Sequence, residues 1–220
     1  VKDDLSAAGI ELKIVEFTDY VTPNLALSDG QLDANFFQHV PYLESFSAEK
    51  GLKLASAFAV HVEPLGLYSS KVKSLEQLAD GAKIAVPNDP TNEGRALLLL
   101  QAKGLIKISD KAGLKGTPAD VTENPRKFKF VELEAAQLPR TLADVDAAVI
   151  NGNFALESGL NPVKDALILE GAESPYANIV AVKAGNEQDP RILALAAALR
   201  SEKVREFILS KYSGGVVAAF

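Results

Sequence analysis

The chain has 220 residues, 47% hydrophobic and 24% charged, with no Cys and a formal net charge of -6. These proportions exclude a disordered chain, a disulfide framework or thiolate metal site, and a surface built for a nucleic-acid polyanion. The longest apolar run, residues 192–199, is far shorter than the ~20 residues of a membrane-spanning helix.

In chain order, residues 2–9 read as the tail of a helix with Gly9 just past its end, and residues 12–17 (LKIVEF) read as a strand. A strand in this position with none before it implies that a leader, a first strand and a half-helix precede Val1 in a longer protein. A short helix over 24–27 closes at Asp29-Gly30. A strand follows over 32–37, then a helix from 41 to 49 that stops at Gly51. Residues 54–60 and 65–68 read as strands, 75–78 as a helical turn, and 83–86 as a strand ending at Pro87. Asp89-Pro90 is a helix start, an N-cap acid followed by Pro at the first helical position; that helix runs through 97–100 toward Gly104. A strand over 127–131, a helical stretch over 135–142 interrupted by Pro139, and a strand over 147–150 come next. Residues 155–159 form a turn and 179–182 the last strand. Asp189-Pro190 repeats the capping device, and Ser201 opens a final helix with Val204, Phe207, Ile208 and Tyr212 at helical spacing.

This alternation predicts an α/β fold with mostly parallel sheets flanked by helices. Two short apolar strands, 65–68 and 179–182, bracket about one small domain's worth of chain. The expectation is therefore two lobes joined by two crossings. Residues 1–68 and 179–220 form the first lobe, and 69–178 form the second. Ligands of such folds bind at the carboxyl ends of strands.

Four places suit ligand chemistry. Residues 33–42 (DANFFQHVPY) gather Phe36, Phe37, His39 and Tyr42 at a strand end, and Tyr20 follows another strand. They read either as ordinary core or as an aromatic wall for an apolar or sulfur-bearing ligand. Arg95 lies on the first turns of a helix that starts at a strand's carboxyl end. That placement suits a carboxylate or phosphate, unless Arg95 is an exposed partner of Glu93. Phosphate is disfavoured by the lack of a Gly-rich phosphate loop. Asn151-Gly152-Asn153 ends a strand and offers amide donors and acceptors for a zwitterion, or else only a turn. Asn178, in Pro175-Tyr176-Ala177-Asn178, precedes the return crossing. A metal site from His39, His61 and Glu63 lacks paired-His spacing. No nucleophile elbow or Ser–His–acid context is present, so no catalytic residues and no cofactor are expected. An enzyme on the same scaffold would have His39 as its acid or base.

With these residues laid out, the chain resembles the methionine-binding lipoproteins of the bacterial methionine ABC importer. The matching stretches are Glu16-Phe17-Thr18-Asp19-Tyr20, residues 33–42, His61-Val62-Glu63-Pro64, residues 87–100, residues 130–140 (FVELEAAQLPR), residues 145–153 and residues 175–178. The resemblance spans essentially the whole chain. It implies a type II periplasmic-binding-protein fold, no enzymatic activity, and a monomer anchored to the membrane by a lipid on an N-terminal Cys outside this numbering. The location it implies is the periplasm or cell surface. The implied partners are L-methionine, with D-methionine or related amino acids as variants, and the importer's permease. Other apolar amino acids, a methionine-containing dipeptide and a metal remain alternative ligands. By similarity, Tyr20, Phe37, His39 and Tyr42 line a pocket for the methionine side chain. Arg95 holds the α-carboxylate, and Asn153 and Asn178 bond the head group.

Overall fold

The structure is a computed structural model that describes residues 1–171 and 175–220. Helix α1 (Lys2–Ala7) and helix α2 (Thr22–Asp29) precede strand β1 (Asn35–His39), helix α3 (Val40–Lys50) and strands β2 (Leu54–Val62) and β3 (Gly66–Tyr68). Strand β4 (Lys83–Pro87) leads into helix α4 (Pro90–Ala102), which is followed by strands β5 (Lys107–Ile108), β6 (Val121–Glu123) and β7 (Lys129–Leu133). A 3₁₀ stretch, Ala135–Ala143, accommodates Pro139 and precedes strand β8 (Ala147–Ile150), helices α5 (Gly152–Glu157) and α6 (Pro162–Asp165), and strand β9 (Ile168–Leu169). Strand β10 (Ala177–Lys183), helices α7 (Pro190–Leu199) and α8 (Glu202–Tyr212) and strand β11 (Val217–Ala218) complete the chain.

Local chemistry sets these boundaries. Asp89, Asp189 and Ser201 each cap a helix, accepting from Asn92 N–H, Arg191 N–H and Val204 N–H. Each spares an otherwise orphaned backbone donor in a first turn. Gly30 and Gly51 close α2 and α3 at φ of 80° and 67°, a region that L side chains disfavour.

The chain groups into two compact units, Val1–Glu63 with Ser174–Phe220, and Pro64–Glu173. The division expected from sequence, 1–68 with 179–220 and 69–178, sits a few residues later at each passage. The strand over 65–68 pairs within the second unit's sheet, whereas Asn178 pairs within the first unit's.

In the first unit the sheet runs β1-β10-β2-β11, and every ladder in it is antiparallel. The α/β class holds, but the expected parallel pairing does not apply to this sheet, because the returning strand β10 inserts between β1 and β2 with reversed direction. Alternation along β10 builds two core layers. Ile179 and Ala181 pack with Leu27 and Leu43 from α2 and α3, while Val180 and Val182 pack with Phe58, Val60 and Ile192 on the other face. The strand expected over 12–17 is absent. Those residues take no ladder partner among the described residues, and Ile14 and Val15 are 72% and 58% exposed.

In the second unit the order is β7-β4-β8-β3-β9, with β4 parallel to β7 and β8 and β3 antiparallel to its neighbours. Ile84, Val86, Ala147 and Val149 of the sheet pack against Ala96, Leu97 and Leu100 of α4. Complete burial of Leu97 and Leu100 contributes about 1.5–3 kcal/mol each. That layer holds α4 with its N-terminus at the carboxyl end of β4. Gly94 permits the approach on the other side: a Cβ there would lie 2.3 Å from the Leu114 carbonyl oxygen.

Candidate functional site

In the first unit the aromatic residues form one array at the end of β1. The β1–β10 ladder slips between Phe36 and Gln38, so Phe37 is the extra residue of a bulge. A bulge re-aims the side chain it carries. Phe37 is half-buried beside Tyr20, with ring centroids 5.7 Å apart, and Tyr42 lies edge-on to both at 6.1 and 6.0 Å. Phe36, by contrast, is 41% exposed and packs edge-on with His61 at 5.2 Å, away from that array. Tyr42 is buried beneath, stacks on Phe46 at 5.7 Å, and donates its hydroxyl to the Tyr20 carbonyl at 2.8 Å. It therefore supports the array as well as belonging to it.

His39 is 5% exposed and caps α3, its Nδ1 accepting from the Tyr42 backbone N–H at 3.2 Å. With Nδ1 used as an acceptor, a neutral ring carries its hydrogen on Nε2. Tyr176, which the sequence reading passed over, packs edge-on against His39 at 5.0 Å. It sits in the loop just before β10.

Asn178 sits at the centre of a row across three strands. The registers place His39 on one side of it and His61 on the other. His61 Nε2 lies 2.9 Å from Glu63 Oε1 and 3.2 Å from Asn178 Nδ2. His61 and Glu63 thus brace Asn178 rather than join His39 at a metal. No group of three or more His, Asp or Glu side chains among the described residues is arranged to hold a metal ion.

The second unit carries the charged groups. Arg95 is 4% exposed, so the reading of it as an exposed residue is excluded. Its partner is Glu170 rather than Glu93. Nε donates to Glu170 Oε1 at 3.0 Å, and a guanidinium terminal nitrogen pairs with Oε2, which also accepts from Leu65 N–H at 3.2 Å. This two-point clasp fixes the plane of the guanidinium.

Asn151 and Asn153 divide differently than the sequence suggests. Asn153 is half-buried near the start of α5. Asn151, at the carboxyl end of β8, is 6% exposed and donates Nδ2 to Asn92 Oδ1 at 2.9 Å, while its own Oδ1 has no hydrogen-bond partner. A buried acceptor left without a donor is costly in a folded protein, which makes Asn151, and not only the Asn153 that the resemblance assigns to the head group, a candidate for ligand contact. The available signal was its place directly at a strand's end, one step before the Gly152 turn. Asn92 donates Nδ2 to both Asp89 oxygens at 3.0 Å, and burial pushes the Asp89 carboxyl up from its usual range against the pull of these bonds.

Glu93 in this unit also has an unpartnered buried atom, its Oε1. Burial, followed by its hydrogen bond with Glu132 and repulsion from Glu132, Asp89 and Asp120, pushes its carboxyl up to about 8. At neutral pH this residue holds its proton.

The model of the NlpA lipoprotein family matches residues 1–220, the full length of the chain. The D-methionine-binding lipoprotein MetQ of Escherichia coli K12 is 47% identical over 211 residues, covering 95% of this chain and 78% of that protein. The probable D-methionine-binding lipoprotein MetQ of Vibrio cholerae is 46% identical over 208 residues, 94% of this chain and 77% of that one. Among solved structures, a nutrient binding protein from Burkholderia cenocepacia bound to methionine is 51% identical, with a TM-score of 0.95 over 99% of this chain and 91% of that chain. Lipoprotein Tp32 from Treponema pallidum superposes with a TM-score of 0.96 at 45% identity, over 99% of this chain and 91% of that chain. The relatives are named as binding proteins, not as enzymes, and no described helix is long and apolar enough to cross a membrane. By sequence along its whole length and by fold, the chain belongs to the NlpA lipoprotein family.

Proposed function

We propose that this protein is the substrate-binding component of an ABC importer, taking methionine between its two units and delivering it to the membrane permease. In this reading the Tyr20, Phe37, His39 and Tyr42 array receives the side chain. A thioether gains about 0.3–1.5 kcal/mol from each good sulfur–aromatic contact, beyond its apolar burial. Arg95 balances the ligand carboxylate, with Asn178 and Asn153 at the head group. Two units that each hold part of the ligand favour a closed arrangement only when it is present. The protein acts as a monomer, without turnover and without a cofactor, held at the membrane in the periplasm or at the cell surface by a lipid anchor N-terminal to Val1.

The observation that carries this reading is the unpartnered Oδ1 of Asn151, buried in the same unit as the Arg95 guanidinium. An acceptor and a fixed cation are the complement of an α-amino acid's ammonium and carboxylate. The methionine held by the Burkholderia relative supplies the side chain that suits the rings.

The test is calorimetry on protein stripped of carried-over ligand by unfolding and refolding. It is titrated with L- and D-methionine, leucine, a methionine dipeptide and zinc. Tight binding of methionine with leucine much weaker supports the proposal. Stabilisation by zinc with no heat from any amino acid, or equal affinity for leucine and methionine, overturns it.

A further inference from the structure

The amide of an asparagine offers an acceptor and a donor at nearly the same distance from the backbone, and a half turn of the side chain exchanges them. For Asn151 the residues behind it remove that freedom. Asp89 is the starting point. Both of its oxygens act as acceptors, and Oδ1 takes Asn92 N–H at 3.0 Å and Thr91 Oγ1 at 3.2 Å. Those bonds to the first turn of α4 keep it from rotating away.

Both Asp89 oxygens stand 3.0 Å from Asn92 Nδ2. Turning Asn92 over would set its carbonyl oxygen against a carboxylate, so Oδ1 of Asn92 is directed at Asn151. Oδ1 there meets Asn151 Nδ2 at 2.9 Å, and turning Asn151 over would set two carbonyl oxygens against each other. The only end of Asn151 left for a ligand is its oxygen. Asn92 is 2% exposed and Asn151 6%, so water does little to relax the constraint.

We propose that Asp89 and Asn92 are positioning residues that fix Asn151 as an acceptor and thereby make a positively charged amino group a requirement for binding. This rests on the amino-acid reading and deepens it, naming what discriminates an α-amino acid from the same molecule without its amino group. The sense of the relay also follows from the elements that carry it. The N-cap of α4 must be an acceptor for the helix to start. The residue three positions on then inherits a fixed orientation, and β8 brings Asn151 to it.

The experiment measures the affinities of the stripped protein for methionine and for 4-(methylsulfanyl)butanoate, its analogue lacking the amino group. The variants are Asp89→Asn and Asn92→Ala. Asp89→Asn retains a good helix cap but offers Asn92 either end of an amide. Asn92→Ala retains the Asp89 cap and cuts the relay at its middle. The unaltered protein is expected to prefer methionine by roughly 100-fold or more, the scale of a charge-assisted bond to a buried acceptor. Each variant is expected to shrink that preference by about tenfold, almost wholly through weaker methionine binding, with the analogue's affinity nearly unchanged. A merely structural role would weaken both ligands in parallel and leave the ratio intact. A preserved ratio in both variants therefore overturns the proposal. Equal affinity of the unaltered protein for the two ligands also overturns it, while leaving the methionine reading standing. Failure of the unaltered protein to bind methionine removes both.

Discussion

Glu93→Gln offers a test of the second unit's electrostatics that does not depend on any ligand. Glu93 is 4% exposed, one oxygen has no partner, and three other carboxylates raise the cost of ionising it. In the unfolded chain a glutamate ionises near pH 4.3, or thereabouts, whereas here its carboxyl is pushed up to about 8. Between those values the folded chain binds the proton and the unfolded chain does not. The contribution is fully present below the unfolded value, is lost as pH rises through the window, and is gone above about 8. The slope is about 1.4 kcal/mol per pH unit, so the loss from pH 5 to pH 8 is roughly 4 kcal/mol. Glutamine keeps the shape and the neutral charge. Urea unfolding of both proteins should give nearly equal stabilities at pH 5 and an advantage of roughly 3–4 kcal/mol for Glu93→Gln at pH 8. An advantage of the same size at both pH values, or none at pH 8, would refute the assignment of a protonated Glu93.

Three further outcomes follow from contacts in the fold and the site. Arg95→Ala is expected to weaken methionine binding more than Phe37→Ala, because losing one partner of a buried charge pair costs several kcal/mol against about 1 kcal/mol for a sulfur–aromatic contact. Calorimetry on proteins that also carry Glu170→Gln avoids an unpaired buried carboxylate, and the reverse order would remove Arg95 from the head group. Tyr68→Phe should leave stability unchanged or raise it by about 1 kcal/mol, since the Tyr68 hydroxyl is buried without a partner; a loss in thermal unfolding would contradict this. Gly94→Ala should destabilise by at least about 2 kcal/mol, because the added carbon would sit 2.3 Å from one backbone atom and 2.7 Å from another of Leu114. Chemical denaturation showing no loss would mean that the 113–116 turn yields easily.

Capping chemistry made the helices legible. Asp89-Pro90, Asp189-Pro190 and Ser201 open helices where their residue types place them, because the capping bond is local and needs no knowledge of the rest of the fold. Pairing is a different matter. Residues 12–17 carry a strand's composition but no ladder, since a strand exists only beside another strand and no composition supplies one. The antiparallel sheet of the first unit was hidden for the same reason: it depends on where β10 re-enters, not on what β10 contains. Within the candidate site, the rings of Tyr20, Phe37 and Tyr42 were legible as a cluster, and the structure brings them together. Glu170 as the Arg95 partner and Asn151 as the orphaned acceptor were not, because both depend on contacts across long stretches of chain.

The polar trio formed by Asn24 of α2 with Asn35 and Gln38 of β1 has its own consequence. Asn24, Asn35 and Gln38 are nearly inaccessible and bond to one another, with Gln38 and Asn24 exchanging two bonds at 2.9 and 2.7 Å and Asn35 reaching Asn24 at 2.9 Å and the Pro23 carbonyl at 3.1 Å. Remove any one and two amides lose partners in a place water does not reach. Exchange all three together for aliphatic residues of matching size, and the one group outside the trio to lose a donor is the Pro23 carbonyl. Such a trio should therefore drift in descent only as a block, and its amide protons should be among the slowest in this unit to trade with deuterium.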